Sequence, residues 1–453
     1  MASEDELRRR QYLKRAAAGT IGMAGIAGCT GGPSGSGGGG SGGGNGSGGG
    51  NASGGGGSGG GDGSLEVIHW WTAGGEKDAI NALFEGFRQE YPDVDINNNP
   101  APGGAGSAQD AVIRNRILNE NPPGTFQIWP GQSLAPYLEA NALRDVGDIW
   151  SQEMRDAYVD GPKNLSRPND TFVAVPINIH RLNNLFYNTQ VVEQAGVDPT
   201  NITDPASLTQ ALERVGQNTD ALGMAQATQS PWTTLQLWEM IFMSQQGVDP
   251  YLDMLSGNVG AHEQAIKAAL SRVNEYRKHW NNDAGSISWD QANSMVINGE
   301  AAFMHQGDWA AGQYEAQQNF AFEENWNYVP FPGSQGTYSI VVDSFVFPQN
   351  NPSPDATRKF LSYCGTKDAQ RRFNPVKGSI PPRTDVSNEP FGPFLRNQRE
   401  EFANSEAQPP TIAHGTGVTP AVKSAVEGAF ASFTSNWNVG QTYNGIQRAF
   451  EQN

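Results

Sequence analysis

The chain has 453 residues, room for two domains with substantial cores, and carries 47 Asp and Glu against 30 Lys and Arg, a formal net charge of -17. That balance argues against nucleic acid as a partner, because phosphate contacts need a basic patch. Lysine is scarce, nine residues against 21 arginines, and an acid-rich, lysine-poor surface suits a halophile, where self-repulsion and hydration keep protein soluble in salt.

The first element is an export signal. Arg9-Arg10-Gln11-Tyr12-Leu13-Lys14 is a twin-arginine block, the address read by the Tat machinery. Residues 16–27 are weakly apolar and rich in Ala and Gly. A spanning helix needs about 20 apolar residues, so this stretch reads as a signal-peptide core. Ile26-Ala27-Gly28-Cys29 looks like a lipobox, whose cysteine becomes the first mature residue and carries a lipid. Residues 1–28 are therefore read as a Tat-type lipoprotein signal peptide. Residues 29–64, almost pure Gly, Ser and Asn after the cysteine, are read as a lipid-anchored disordered linker. A flexible coil of that length spans roughly 30–35 Å. It would hold a globular body near the extracellular face of the cytoplasmic membrane. Asn45, Asn51 and Asn201 head glycosylation sequons. The second cysteine, Cys364, falls in a helical pattern; with Cys29 lipidated it has no disulfide partner and reads as a small buried hydrophobe.

The body starts with a strand-like run, Leu65-Glu66-Val67-Ile68-His69-Trp70-Trp71. Ala79, Leu83, Phe84, Phe87 and Tyr91 follow at helical spacing, and Pro92-Asp93 ends that helix. Val94-Asp95-Ile96 alternates as a second strand. The turn Gly103-Gly104-Ala105-Gly106 leads into a helix with Ala111, Val112, Ile117 and Leu118, and Phe126-Gln127-Ile128 is a third strand. Strands alternating with helices imply βαβ units and a parallel sheet. Residues 204–325 are mainly helical, opening on the helix start Thr203-Asp204-Pro205. Strand-like pieces return over residues 339–347, and the last 35 residues are helical again. The chain thus builds one α/β lobe, leaves for a helix-rich one and comes back.

Enzyme motifs are missing. There is no G-x-S-x-G, P-loop or C-x-x-C, and His262-Glu263 fails as a zinc helix because Ile266 stands where the second histidine belongs. The six histidines have no metal-ligand spacing, so no metal or cofactor is expected. A glycosidase needs only two opposed carboxylates, and 47 acids leave a surface hydrolase open as an alternative, with a lectin-like adhesin beside it.

Binding has better support. Trp70 and Trp71 close the first strand and Trp129 the third. In an open α/β sheet the ligand crevice lies beyond the carboxyl ends of the strands. Adjacent strand residues face opposite ways, so at most one of Trp70 and Trp71 is expected in the core. A pyranose offers an apolar C–H face for a flat aromatic and a rim of hydroxyls that needs polar partners. Lys377 also stands out, a lysine in a lysine-poor chain set among Pro, Val, Gly and Ile.

Seven stretches together resemble the periplasmic sugar-binding proteins of ABC importers, above all the branch that binds glucose and similar aldoses. They are Trp70-Trp71-Thr72-Ala73-Gly74-Gly75-Glu76, Thr125-Phe126-Gln127-Ile128-Trp129, Val175-Pro176-Ile177-Asn178-Ile179-His180-Arg181, Met304-His305-Gln306-Gly307-Asp308-Trp309-Ala310-Ala311-Gly312, Val342-Asp343-Ser344-Phe345, Phe373-Asn374-Pro375-Val376-Lys377-Gly378-Ser379-Ile380-Pro381 and Ala413-His414-Gly415. The resemblance runs from about Leu65 to the C-terminus. It implies an α/β periplasmic-binding-protein fold: two lobes, a hinge and an interlobe ligand cleft. Lobe 1 would be residues 65–178 plus 327–375, and the helix-rich lobe 2 residues 179–326 plus 376–453. It also implies roles. Trp70 or Trp71 would stack on a monosaccharide, Glu76 and Asp343 would accept from its hydroxyls, and Lys377 and His414 would donate. Gln127 would be an amide partner, Trp289 and Trp309 an opposing aromatic wall, and His180 would line the cleft. Trp129 departs from relatives, which place a polar side chain there. The implied partners are a sugar and the permease subunits of an ABC transporter, with the receptor a monomer that performs no chemistry. An oligosaccharide or polyol ligand in the same fold remains the near alternative.

Overall fold

The computed structural model describes residues 63–101 and 106–452. The twin-arginine block, Cys29, the linker up to residue 62 and most of the 103–106 turn lie outside them.

Strand β1 (Ser64–His69) leads into helix α1 (Glu76–Glu90), strand β2 (Asp95–Pro100), helix α2 (Ser107–Leu118) and strand β3 (Thr125–Ile128). Helix α1 forms because Ala79, Ile80, Leu83, Phe84 and Phe87 repeat on one buried stripe, with Glu76 and Asp78 in the first turn and Arg88 in the last, matching the helix dipole. Both β2 and β3 pair parallel with β1, as the βαβ pattern predicts. Strand β4 (Ala174–Pro176) completes the lobe's outgoing chain.

The chain then crosses. Strand β5 (His180–Arg181) lies in the crossover and β6 (Asn184–Asn188) starts a second sheet. Helix α3 (Pro205–Asn218) begins where the sequence marks it. Asp204 accepts from the amides of Ala206 (2.7 Å) and Ser207 (2.8 Å), and Pro205 fills the first turn. Next come β7 (Leu222–Met224), α4 (Pro231–Gln246), α5 (Val248–Leu255), α6 (Glu263–Tyr276) and α7 (Trp289–Ile297). Strand β8 (Ala301–Gln306), α8 (Trp309–Glu315) and β9 (Trp326–Pro330) follow. The second sheet runs β7-β8-β6-β9.

On its return the chain forms β10 (Ile340–Val341), antiparallel to β5, and β11 (Ser344–Val346), which enters the first sheet antiparallel to β3 and β4. The first sheet is therefore mixed, in the order β2-β1-β3-β11-β4. Helices α9 (Pro354–Cys364) and α10 (Lys367–Lys377) pack on α1, while α11 (Pro420–Asn436) and α12 (Val439–Gln452) pack against each other, and α11 on α4. Cys364 is fully buried and free.

Two expected lobe boundaries need correction. Strand β9 pairs antiparallel with β6 along its whole length, so residues 327–330 belong to the second sheet, not the first lobe. The 375/376 boundary would cut α10, which continues to Lys377 against the first lobe. The three passages between lobes lie side by side: β5 pairs with β10, and Ile179 exchanges backbone hydrogen bonds with Ile380 at 2.7 and 3.0 Å. Such a narrow, hydrogen-bonded waist is suited to act as a hinge. No described helix is long and apolar enough to cross a membrane.

Candidate functional site

Between the lobes lies a cavity lined by Trp70, Trp71, Glu76, Trp129, His180 and Asp343, together with Trp232, Trp289, Trp309, Val341, Lys377 and His414. Ten of the eleven residues singled out in the sequence meet there. Six of the chain's 11 tryptophans are among the lining. Gln127, the eleventh, is not in the lining. It is turned aside, donating to Asp343 Oδ1 at 2.9 Å and accepting from the Trp70 amide at 3.1 Å.

Local structure explains the placement. Strand β1 stops at His69, so Trp70 and Trp71 occupy the turn before α1 rather than the strand. Strand alternation no longer governs them, and both are buried lining residues; the expectation that at most one would be buried fails for that reason. Trp71 packs on Phe373 and Phe345, with centroids 4.9 and 5.9 Å apart. The turn comes so close to the end of α10 that a Cβ on Gly75 would sit 2.8 Å from the Val376 carbonyl oxygen. Trp129 follows β3 and meets Trp70 edge-on at 4.9 Å. From the second lobe, Trp289 and Trp309 are the first residues of α7 and α8, and Trp232 is the second residue of α4. Lys377 is the last residue of α10, which closes on Gly378 in the left-handed conformation (φ 75°).

The charges are buried and paired. The Lys377 side chain is 1% exposed, its Nζ 2.9 Å from Glu76 Oε1 and within 6 Å of the ring centres of Trp71 (5.9 Å) and Trp309 (5.8 Å). Burial raises the Glu76 carboxyl above its ordinary value, and the Lys377 charge offsets only part of that. Asp343 behaves oppositely. Burial pushes it up, but His180, the Lys377 charge and Asn178 outweigh burial and hold it at about 2. Its Oδ1 accepts from Gln127 and from Trp129 Nε1 (3.1 Å), and its Oδ2 from Asn178 Nδ2 (2.8 Å), with His180 Nε2 at 3.6 Å. The other ring nitrogen of His180, Nδ1, bonds to Asp308 Oδ1. Burial and Lys377 push the imidazole down, yet the two aspartates win and raise it. Burial pulls His414 down to about 3, so it is neutral near pH 7. Two polar atoms of lining residues, Trp71 Nε1 and His414 Nδ1, are buried without a protein hydrogen-bond partner. Such atoms cost about 1–3 kcal/mol each unless something pairs with them.

Sequence reasoning missed Trp232, Val341 and the supporting pair Asn178 and Asp308. Trp232 looks like one more apolar residue of a helix buried on nearly all sides. Asn178 and Asp308 sit in motifs whose neighbours drew attention, and only the fold brings Asp308 onto His180. Among the described residues no group of three or more His, Cys, Asp or Glu is placed to hold a metal ion.

Two lobes, a hydrogen-bonded waist and an aromatic, charge-bearing cavity between them are the parts of a solute-binding protein. The chain belongs to the bacterial extracellular solute-binding proteins, whose family model matches residues 73–371. It is similar to a xylose/arabinose-binding protein of Haloferax volcanii, 41% identical over 393 residues, which cover 86% of this chain and 84% of the relative. An ABC transporter extracellular-binding protein of Pyrococcus horikoshii is 34% identical over 389 residues, 86% of this chain and 87% of the relative. In fold it matches the structure of a bacterial solute receptor with a preference for β-D-galactopyranose, at TM-score 0.73 and 16% identity over 86% of this chain and 98% of that one. A maltose-bound T. maritima protein matches at TM-score 0.69 and 16% identity, over 86% and 99%.

Proposed function

We propose that this protein captures a monosaccharide aldose outside the cell, glucose or a related sugar such as xylose or arabinose, and delivers it to the permease of an ABC transporter without chemical change. The observation that carries this is the pairing of six indoles with Glu76, Asp343 and Lys377 in one cavity between lobes. Flat apolar rings suit the C–H faces of a pyranose, and fixed charges suit its hydroxyls. The family and the sugar-binding relative support the same reading.

The mechanism is capture by closure. Sugar touching both lobes makes its full set of contacts only when they close, so it shifts the population toward the closed form. Micromolar affinity corresponds to about -8 kcal/mol, ample for that shift. The closed monomer then docks on the permease. The twin-arginine block and the lipobox support export by the Tat route and a lipid on Cys29, and the Gly/Ser-rich linker then raises the local concentration of the body at the transporter. The -17 charge and the scarcity of lysine support a halophilic setting.

Calorimetric titration of the full chain with a panel of sugars at high and low salt tests the reading. One-site binding of glucose, xylose or another aldose is expected, with the sugar recovered intact. Binding confined to an oligosaccharide or polyol would replace the ligand class, and turnover of any sugar would overturn the receptor role.

A further inference from the structure

Helix α4 (Pro231–Gln246) is apolar on nearly every side, and Glu239 is its single charged residue. The side chain is fully buried. It is met by three donors and, among the described residues, pairs with no cation. Oε1 accepts from the Ile412 amide at 2.6 Å and from the Tyr251 hydroxyl, and Oε2 accepts from the Ala413 amide at 3.1 Å. The next residue is His414. Its ring lies 5.2 Å from Trp129, 5.5 Å from Trp309 and 5.8 Å from Trp232, between centroids. Trp232 itself stands seven residues before Glu239, two turns back on the same helix. One helix therefore supplies two parts of the cavity, Trp232 directly and His414 through the loop its carboxylate grips.

We propose that Glu239 is a positioning residue for the ligand site, whose ionised carboxylate fixes the 411–415 loop and so sets His414 against the cavity; this rests on reading the cavity as the sugar site. Two consecutive amides and a hydroxyl converge on two carboxylate oxygens; the anion accepts from all three, whereas a protonated carboxyl carries a hydrogen that competes with one of these donors. Burial pushes the Glu239 carboxyl up to about 7, with Tyr251, Ile412 and Ala413 restraining it. The grip therefore loosens as pH falls through neutrality, and ligand affinity falls with it. The groups facing it are few. Helix α5 contributes Tyr251, whose hydroxyl burial keeps protonated. Strand β8, which packs on α4, carries His305, pulled by burial to about 3 and bonded to the Leu182 carbonyl rather than to Glu239. Helices α3, α6 and α11 pack on α4 through apolar side chains.

The experiment is titration of the full chain with D-glucose and D-xylose from pH 6 to 8.5. Wild type is expected to bind about tenfold more weakly at pH 6 than at pH 8, with the midpoint near 7. Glu239→Gln, which turns a donor toward an amide, is expected to bind about tenfold more weakly at pH 8 and to show a flat profile. Tyr251→Phe removes one donor and leaves the amides engaged. It is expected to fold normally and to move the midpoint upward, a shift that a merely structural contact would not produce. Wild-type binding that does not change with pH, or a midpoint unmoved in both variants, overturns the role of Glu239 while leaving sugar capture intact. No binding of any sugar by folded wild type at pH 8 overturns the sugar reading and this one together.

Discussion

The two walls of the cavity are built on different principles. The first-lobe wall comes from the segments that follow or precede strands, the start of α1 and the end of α10, and it holds Glu76, Asp343 and Lys377 beside Trp70, Trp71 and Trp129. The second-lobe wall comes from three helix starts and one loop, and it consists of Trp232, Trp289, Trp309 and a neutral His414. The difference teaches a division of labour. Charges must be held by many partners, as Asp343 is by Gln127, Trp129, Asn178 and His180, so they belong where several elements converge. Indoles need only a scaffold and shape, so helix starts are enough to place them. Sugar would dock first on the charged wall and be covered by the aromatic one.

The sharpest way to break that comparison is to remove one charge. Asp343→Ala leaves His180 and three other donors without their carboxylate, and the expected loss of sugar affinity is about 100-fold or more by calorimetry. Trp309→Ala, on the opposite wall, is expected to cost about 30-fold, within the range of a buried aromatic anchor. If the order is reversed, the aromatic wall binds first and the assignment of roles is wrong.

A smaller effect separates the walls by pH. Asp343 lies below its ordinary value, so its contribution to stability is present above about pH 4 and is lost as pH falls toward 2. His414 is a depressed base. The unfolded chain takes up its proton near pH 6.5 and the folded chain only near 3, so stability falls across that window as pH drops. Denaturant midpoints of wild type and His414→Gln between pH 7 and 4 would show this. The variant should lose less stability on acidification than the wild type, and equal loss would remove His414 as the cause.

The tryptophans of the first wall were legible because local rules suffice there, whereas Glu76 and Asp343 entered through resemblance. The βαβ pattern from β1 to β3 places residues at strand ends, and strand ends are where ligands sit. The second wall was legible only in part. Trp289 and Trp309 entered through resemblance, whereas Trp232 was hidden in α4, which is buried continuously from Trp232 to Met243, so no stripe distinguishes wall from core. Glu239 was the visible anomaly of that helix, yet its amide partners lie 173 and 174 residues away in sequence and nothing local announces them. The lobe boundary failed for the same reason. Residues 327–330 were assigned to the first lobe, and only their pairing with β6 shows that they belong to the second sheet.

The smallest expected effect sharpens the comparison by leaving both walls alone. Asp204 caps α3 in the second lobe through two amides, lies on the surface and is not among the cavity-lining residues. Asp204→Ala exposes those amides and is expected to cost about 1 kcal/mol of stability by denaturant unfolding. Sugar affinity should stay within about twofold, because substitutions without shared partners act independently. A tenfold loss instead would mean that the aromatic wall depends on the stability of its whole lobe. In that case the second lobe would not be a rigid cover. Its folding free energy would itself be coupled to ligand capture, and the separation of a charged docking wall from an aromatic closing wall would have to be given up.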